Sequence, residues 1–191
     1  MKTTLTLFLV ILAFCGGAQT RVLPIKEAID TILRDFPSNL RHITGELVLA
    51  QGEFENYASM VQLADAEDCI ITRWHSTRDT TVSWQAQLYA GDDFDAAEQR
   101  YHQLFRQLHQ CYMRLPDSTL TWLSGDWEAP KEGVSFTTST LQLKTGDWRY
   151  REVQVRVELV YNLAEWTVRV NIASKKPDDE VGGEQVVGLR P

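Results

Sequence analysis

Three stretches of the chain place apolar side chains at every second position, the period of a strand with one buried face. Val82, Trp84, Ala86 and Leu88 alternate with Ser83, Gln85 and Gln87. Val153, Val155, Val157, Leu159 and Tyr161 alternate with Gln154, Arg156 and Glu158, and Trp166, Val168, Val170 and Ile172 with Thr167, Arg169 and Asn171. The turn Asn162-Leu163-Ala164-Glu165 joins these last two as a hairpin. Tyr57, Ser59, Val61 and Leu63 share one face of a strand over 54–63, and further strands are expected over 69–75, 119–127 and 133–143. In the last, Val134 and Phe136 have one parity while Leu141 and Leu143 have the other, which predicts a bulge near Thr138 to Thr140.

Two stretches follow the helical period instead. Ile25, Ala28, Ile29, Ile32, Leu33 and Phe36 make one apolar stripe, with Pro24 suited to a first helical turn and Pro37 as the stop. Phe94, Ala97, Tyr101, Leu104, Phe105, Leu108 and Tyr112 make another, over roughly 93–114. Gly91-Asp92-Asp93 supplies its N-cap and Pro116 closes it.

The order is helix, three strands, helix, four strands. It predicts an α+β fold of two layers, a mainly antiparallel sheet with both helices packed on one face. The plan reads as a helix-plus-strands unit used twice, with halves 23–90 and 91–174, although residue identity between the halves is poor. Residues 175–191, with Pro177-Asp178-Asp179-Glu180 and Gly182-Gly183, have no period and read as a flexible tail.

The first eighteen residues read as a secretory signal peptide: Lys2, an apolar run from Leu5 to Phe14, then Gly16 and Ala18 at the small-residue positions before cleavage. The run falls short of the roughly 20 apolar residues a membrane span needs, and nothing later is longer. One soluble α+β domain over 19–174 is therefore expected in a periplasm or outside the cell. A lipoprotein tethered through Cys15 is the rival reading, although the bulky Phe14 before that cysteine argues against it. The chain has no Asn-x-Ser/Thr sequon, which fits a bacterial source.

Charge excludes one class of partner. The 191 residues carry 26 Asp and Glu against 19 Lys and Arg, a net charge of −7. With no basic cluster there is no phosphate-contacting surface, so nucleic acid is not expected as a partner. Loss of Cys15 with the signal leaves Cys69 and Cys111, which in an oxidising compartment form either one disulfide or two buried thiols.

Catalytic patterns are weak. His102 and His109 lie two turns apart on a helix, about 10 Å along its axis, too far to share a metal ion. His75, Ser76 and Asp79 have the residue types of a hydrolytic triad, but no Gly-x-Ser-x-Gly elbow accompanies them. Glu53 and Glu55, and Asp65, Glu67 and Asp68, could act as paired carboxylates of a hydrolase only at a separation that sequence does not set. No cofactor or metal motif is present. The remaining feature is aromatic: of six tryptophans, Trp127 and Trp148 stand near the turns Gly125-Asp126 and Gly146-Asp147, where exposed rings can stack on a sugar or anchor a partner. The expectation is a non-catalytic binding domain for a protein, peptide or carbohydrate met outside the cytoplasm. A carboxylate hydrolase and a lipid-anchored envelope structural protein are the alternatives.

Overall fold

Polar and apolar positions sort onto opposite faces of one large sheet, seen in a computed structural model that describes residues 20–75 and 80–174. The elements are β1 (Arg21–Leu23), α1 (Ile25–Asp35), a 3-10 turn (Phe36–Ser38), β2 (Thr44–Gln51), β3 (Phe54–Ser59), β4 (Val61–Leu63), β5 (Asp68–His75) and β6 (Thr80–Gly91). There follow α2 (Phe94–His109), β7 (Tyr112–Arg114), β8 (Leu120–Gly125), β9 (Phe136–Leu143), β10 (Val153–Asn162) and β11 (Glu165–Ser174). Nine strands form the main sheet in the order β2-β3-β5-β6-β11-β10-β9-β8-β7, every pair antiparallel. The short strands β1 and β4 pair in parallel beside it. The fold is α+β with a mainly antiparallel sheet. Among the described residues no helix is long and apolar enough to cross a membrane.

Helix α2 begins where Asp93 accepts the amide hydrogens of Asp95 and Ala96, satisfying donors that the first turn leaves unpaired. Its buried residues Ala97, Tyr101, Leu104, Phe105 and Leu108 lie against β6, β8, β9, β10 and β11. Helix α1 buries Ala28, Ile29, Ile32 and Leu33 and contacts α2, β4 and β7. The core they cover comes from alternate strand positions: Val82, Trp84 and Ala86 on β6, Val155, Val157 and Leu159 on β10, and Val168, Val170 and Ile172 on β11. Burial of each large apolar side chain contributes about 1.5–3 kcal/mol.

Several boundaries differ from the periodicity. Helix α2 stops at His109, because Leu123 donates to the Cys111 carbonyl at 3.0 Å and residues 112–114 join β8 as a strand. The stretch 54–63 divides at Met60, where the chain leaves the main sheet to pair with β1. The expected bulge in β9 is absent: the strand pairs with β10 in unbroken register from Phe136 to Gln142. Thr137, Ser139, Leu141 and Leu143 all face inward, and Ser139 is held there by the Tyr101 hydroxyl at 2.8 Å and the Glu128 amide at 2.9 Å. Pro24 sits at the N-cap of α1 rather than within its first turn, and Pro37 lies inside the 3-10 turn.

The expected pairing of Cys69 with Cys111 does not form, and both are buried free thiols. Each sulfur has its own backbone neighbour: Cys69 Sγ accepts from the Leu63 amide and the Cys111 thiol donates to the Gln107 carbonyl, each at 3.4 Å. Burial pushes both thiols up to about 11, so neither is a thiolate near neutral pH. Ellman's reagent should therefore find neither thiol in the folded protein, and both in unreduced protein unfolded in guanidinium. A folded protein with no titratable thiol after unfolding would restore the disulfide. The proposed signal peptide over 1–18, residues 76–79 and the tail from 175 lie outside the described residues.

Candidate functional site

The sheet has a second face, opposite the side that α2 covers, and it carries the polar members of each alternation. Gln85 and Gln87 on β6, Arg169 and Asn171 on β11, Arg156 and Glu158 on β10, and Thr138 and Thr140 on β9 fall in adjacent register positions there. The centre is Glu158, whose side chain is only 5% exposed. Arg169, its partner across the β10–β11 hairpin, donates from Nε to Glu158 Oε2 at 2.6 Å. Arg156 Nη1 lies 4.0 Å from the other carboxylate oxygen. Both arginine side chains are partly exposed, so the cluster is only partly sealed from water.

Around this ion cluster, hydrogen-bonding capacity is left over. Thr138 Oγ1, Arg156 Nε and Asn171 Oδ1 are buried atoms with no hydrogen-bond partner among the described residues. Thr138 is the β9 neighbour of Glu158, and Asn171 the β11 neighbour of Arg156. Most buried polar atoms in folded proteins are paired. The three unpaired ones fall in adjoining positions on one face, beneath the surface that the Glu158 cluster presents.

Exposed aromatic rings stand at its margins. Trp74, 48% exposed, packs on Phe54 with ring centres 5.1 Å apart. Phe136 is half-exposed on β9, and Trp122 is exposed on β8, 5.9 Å from Tyr112. Beside β9 lies a cleft of about 660 Å³, where β8 ends at Gly125 and leaves the start of β9 without a partner on that edge, with Trp127, Thr138 and Thr140 in its walls.

Of the two tryptophans singled out from their turns, Trp127 is 37% exposed, its ring 4.9 Å from Tyr101, 5.0 Å from His102 and 5.2 Å from Phe105. It is held against α2 with one edge in the cleft. Trp148 is 76% exposed on a turn fixed by Asp147, which accepts from Arg149 Nη2 at 2.6 Å. These hydrogen bonds hold the Asp147 carboxyl below its ordinary range. Trp148 is not among the residues lining the cleft, so the two tryptophans belong to different places.

No family model, no curated protein and no solved structure matches this chain.

The other candidates are placed separately. His75 Nε2 lies 3.0 Å from Glu55, which also accepts from the Tyr57 hydroxyl at 2.7 Å; both bonds keep the Glu55 carboxyl below its usual range. Ser76 and Asp79, the other members of that triad pattern, lie outside the described residues. Asp65 approaches Arg100 at 3.9 Å, and Glu67 accepts from Gln87 at 2.6 Å. Glu55, Asp65 and Glu67 are thus each engaged by a different partner. His102 and His109 are exposed on α2.

Sequence reasoning missed the ion cluster, although a signal existed. Counting four residues back from each end of the Asn162–Glu165 turn places Glu158 opposite Arg169, a cross-strand pair of opposite charge.

Proposed function

We propose that this protein is a non-catalytic binding domain that works in a periplasm or outside the cell, and that it takes a folded protein on the open face of its sheet. The observation that carries this reading is an open polar sheet face centred on the Arg156–Glu158–Arg169 cluster and bordered by exposed aromatic rings. Interface centres are enriched in tryptophan, tyrosine and arginine. The six strands from β3 to β9 in sheet order, spaced at ~4.8 Å and about eight residues long, offer roughly 700 Å². That is near the ~800 Å² each partner gives to a standard protein interface, and more than a single sugar or short peptide would cover. The export reading of the first eighteen residues supplies the compartment.

The same reading carries a duplicated plan with both helices on one side. From each outer part of the sheet the strands run inward in chain order, β2-β3-β5-β6 and β8-β9-β10-β11, and meet at β6 and β11. Contact between α1 and α2 supports a common helical layer.

Asn171→Arg places a long cation on the face, and Gln99→Arg does the same on the exposed surface of α2. In affinity capture from the native envelope fraction, a saturable partner should be retained by wild type and Gln99→Arg and lost from Asn171→Arg. Equal capture by all three, with native circular dichroism, would reject the open face as the binding surface.

A further inference from the structure

A second concave site lies away from the open face, between α1 and the β1–β4 ribbon. It has a volume of about 420 Å³, and Arg21, Arg34, His42, Ile43, Met60 and Val61 are among its lining residues. Its floor is apolar, since Ile43 and Val61 are 6% and 3% exposed. Its rim carries both signs of charge, Arg21 and Arg34 with Asp35. Arg34 is neutralised by Asp30 at 2.8 Å, but Arg21 has no ion pair or side-chain hydrogen bond among the described residues. The Arg21 backbone is pinned, because its amide donates to the Met60 carbonyl at 2.8 Å.

His42 is fixed at the same rim. Its backbone amide donates to Asp35 Oδ2 at 3.0 Å and its ring Nδ1 contacts Asp35 Oδ1. The Asp35 side chain is 10% exposed and the His42 side chain 77%. A largely buried carboxylate therefore orients an exposed imidazole and leaves Nε2 as its free nitrogen. Asp35 is occupied by His42, and Asp30 by Arg34, so the uncommitted group at the mouth is the Arg21 guanidinium.

We propose that this pocket binds a small organic carboxylate with a short apolar body. Arg21 would take the carboxylate in the two-pronged geometry a guanidinium favours. His42 would border it through Nε2, and the chain would lie on Ile43, Met60 and Val61. The volume is in the ordinary range for small-ligand sites.

Hexanoate is a suitable probe, with hexan-1-ol as the uncharged control of equal length. Titration of the purified protein followed by amide NMR should give saturable shifts for hexanoate centred on Arg21, Ile43 and Val61. Arg21→Gln should weaken hexanoate at least tenfold, and hexan-1-ol should bind at least tenfold more weakly than hexanoate. Arg21 is exposed, so its replacement should leave the fold intact, which circular dichroism checks. Met60→Glu, which sets a carboxylate against the incoming one, should abolish binding independently. No saturable shift, shifts centred elsewhere, equal affinity for the alcohol, or unchanged affinity in both variants would overturn the proposal.

Discussion

Gly125→Ala destabilises the protein by about 3 kcal/mol or more, the upper end of what overpacking costs in a close-packed interior. A Cβ at Gly125 would stand 1.9 Å from the Thr140 carbonyl oxygen, 2.8 Å from its carbon and 2.9 Å from Leu141 Cα. All three atoms are backbone, so no rotamer change relieves the clash. Gly125 pairs with Leu141 in the last rung between β8 and β9, and the strands must part there. The cleft beside Trp127 opens with them, so the loss reaches the margin of the open face. Gly133→Ala and Gly146→Ala are the controls, because a Cβ at either meets nothing within 4 Å. They should be neutral, or stabilising by about 0.4–1 kcal/mol through the unfolded chain. Urea unfolding followed by circular dichroism separates the three. A Gly125→Ala protein as stable as the controls would show that β8 does not approach β9 this closely.

The parts of the fold legible from sequence are those where one period runs unbroken. β10 and β11 keep strict alternation and pair as the expected hairpin, and β6 alternates from Val82 to Leu88 although its register with β11 shifts between Val168 and Arg169. Asp93 capped α2 at the expected place. What stayed hidden breaks the period. β2 carries Leu47, Val48 and Leu49 in succession, and register shifts on either side of Leu47 destroy its alternation, so its sequence carries no strand period. β9 presents Thr137 and Ser139 inward, which inverted the apparent parity of its first half and suggested a bulge. There the buried hydroxyl of Tyr101 overrides hydropathy, and a single-residue scale cannot register it.

The candidate site was legible only in part, for a related reason. Polar residues on a sheet face look alike in sequence whether they are solvated or form a cluster. The distinction appears when Glu158 is flanked by arginines from its own strand and the next. The Arg21 pocket was less accessible still. It needs β1, α1, the loop before β2 and β4 together, and none of their short segments announces the others. His42 and Asp35 are seven residues apart, joined by a 3-10 turn that ends with Asn39 in a left-handed conformation.

Trp84→Ala lowers stability by about 3–5 kcal/mol, the usual cost of deleting a large buried ring. Trp84 is fully buried at the middle of β6, next to β5 on one side and β11 on the other. Its indole Nε1 donates to Ser59 Oγ at 3.0 Å. Ser59 is itself 2% exposed, donates to the Val61 carbonyl at 2.8 Å and accepts from the Val61 amide at 3.1 Å. The ring thus fills the core and also ties β6 to the junction where the chain leaves β3 for β4. Two variants separate these roles. Trp84→Phe keeps most of the apolar volume and gives up the hydrogen bond, worth about 1 kcal/mol, together with the smaller ring's packing deficit. Trp84→Ala loses both, and at ~2–4 °C per kcal/mol for a chain of this size its melting midpoint should fall by about 6–20 °C. Because the variants change fluorescence, circular dichroism is the proper probe. If Trp84→Ala costs less than 1 kcal/mol, Trp84 does not occupy a sealed position in the core; if Trp84→Phe costs as much as Trp84→Ala, the tie to Ser59 outweighs the volume of the ring.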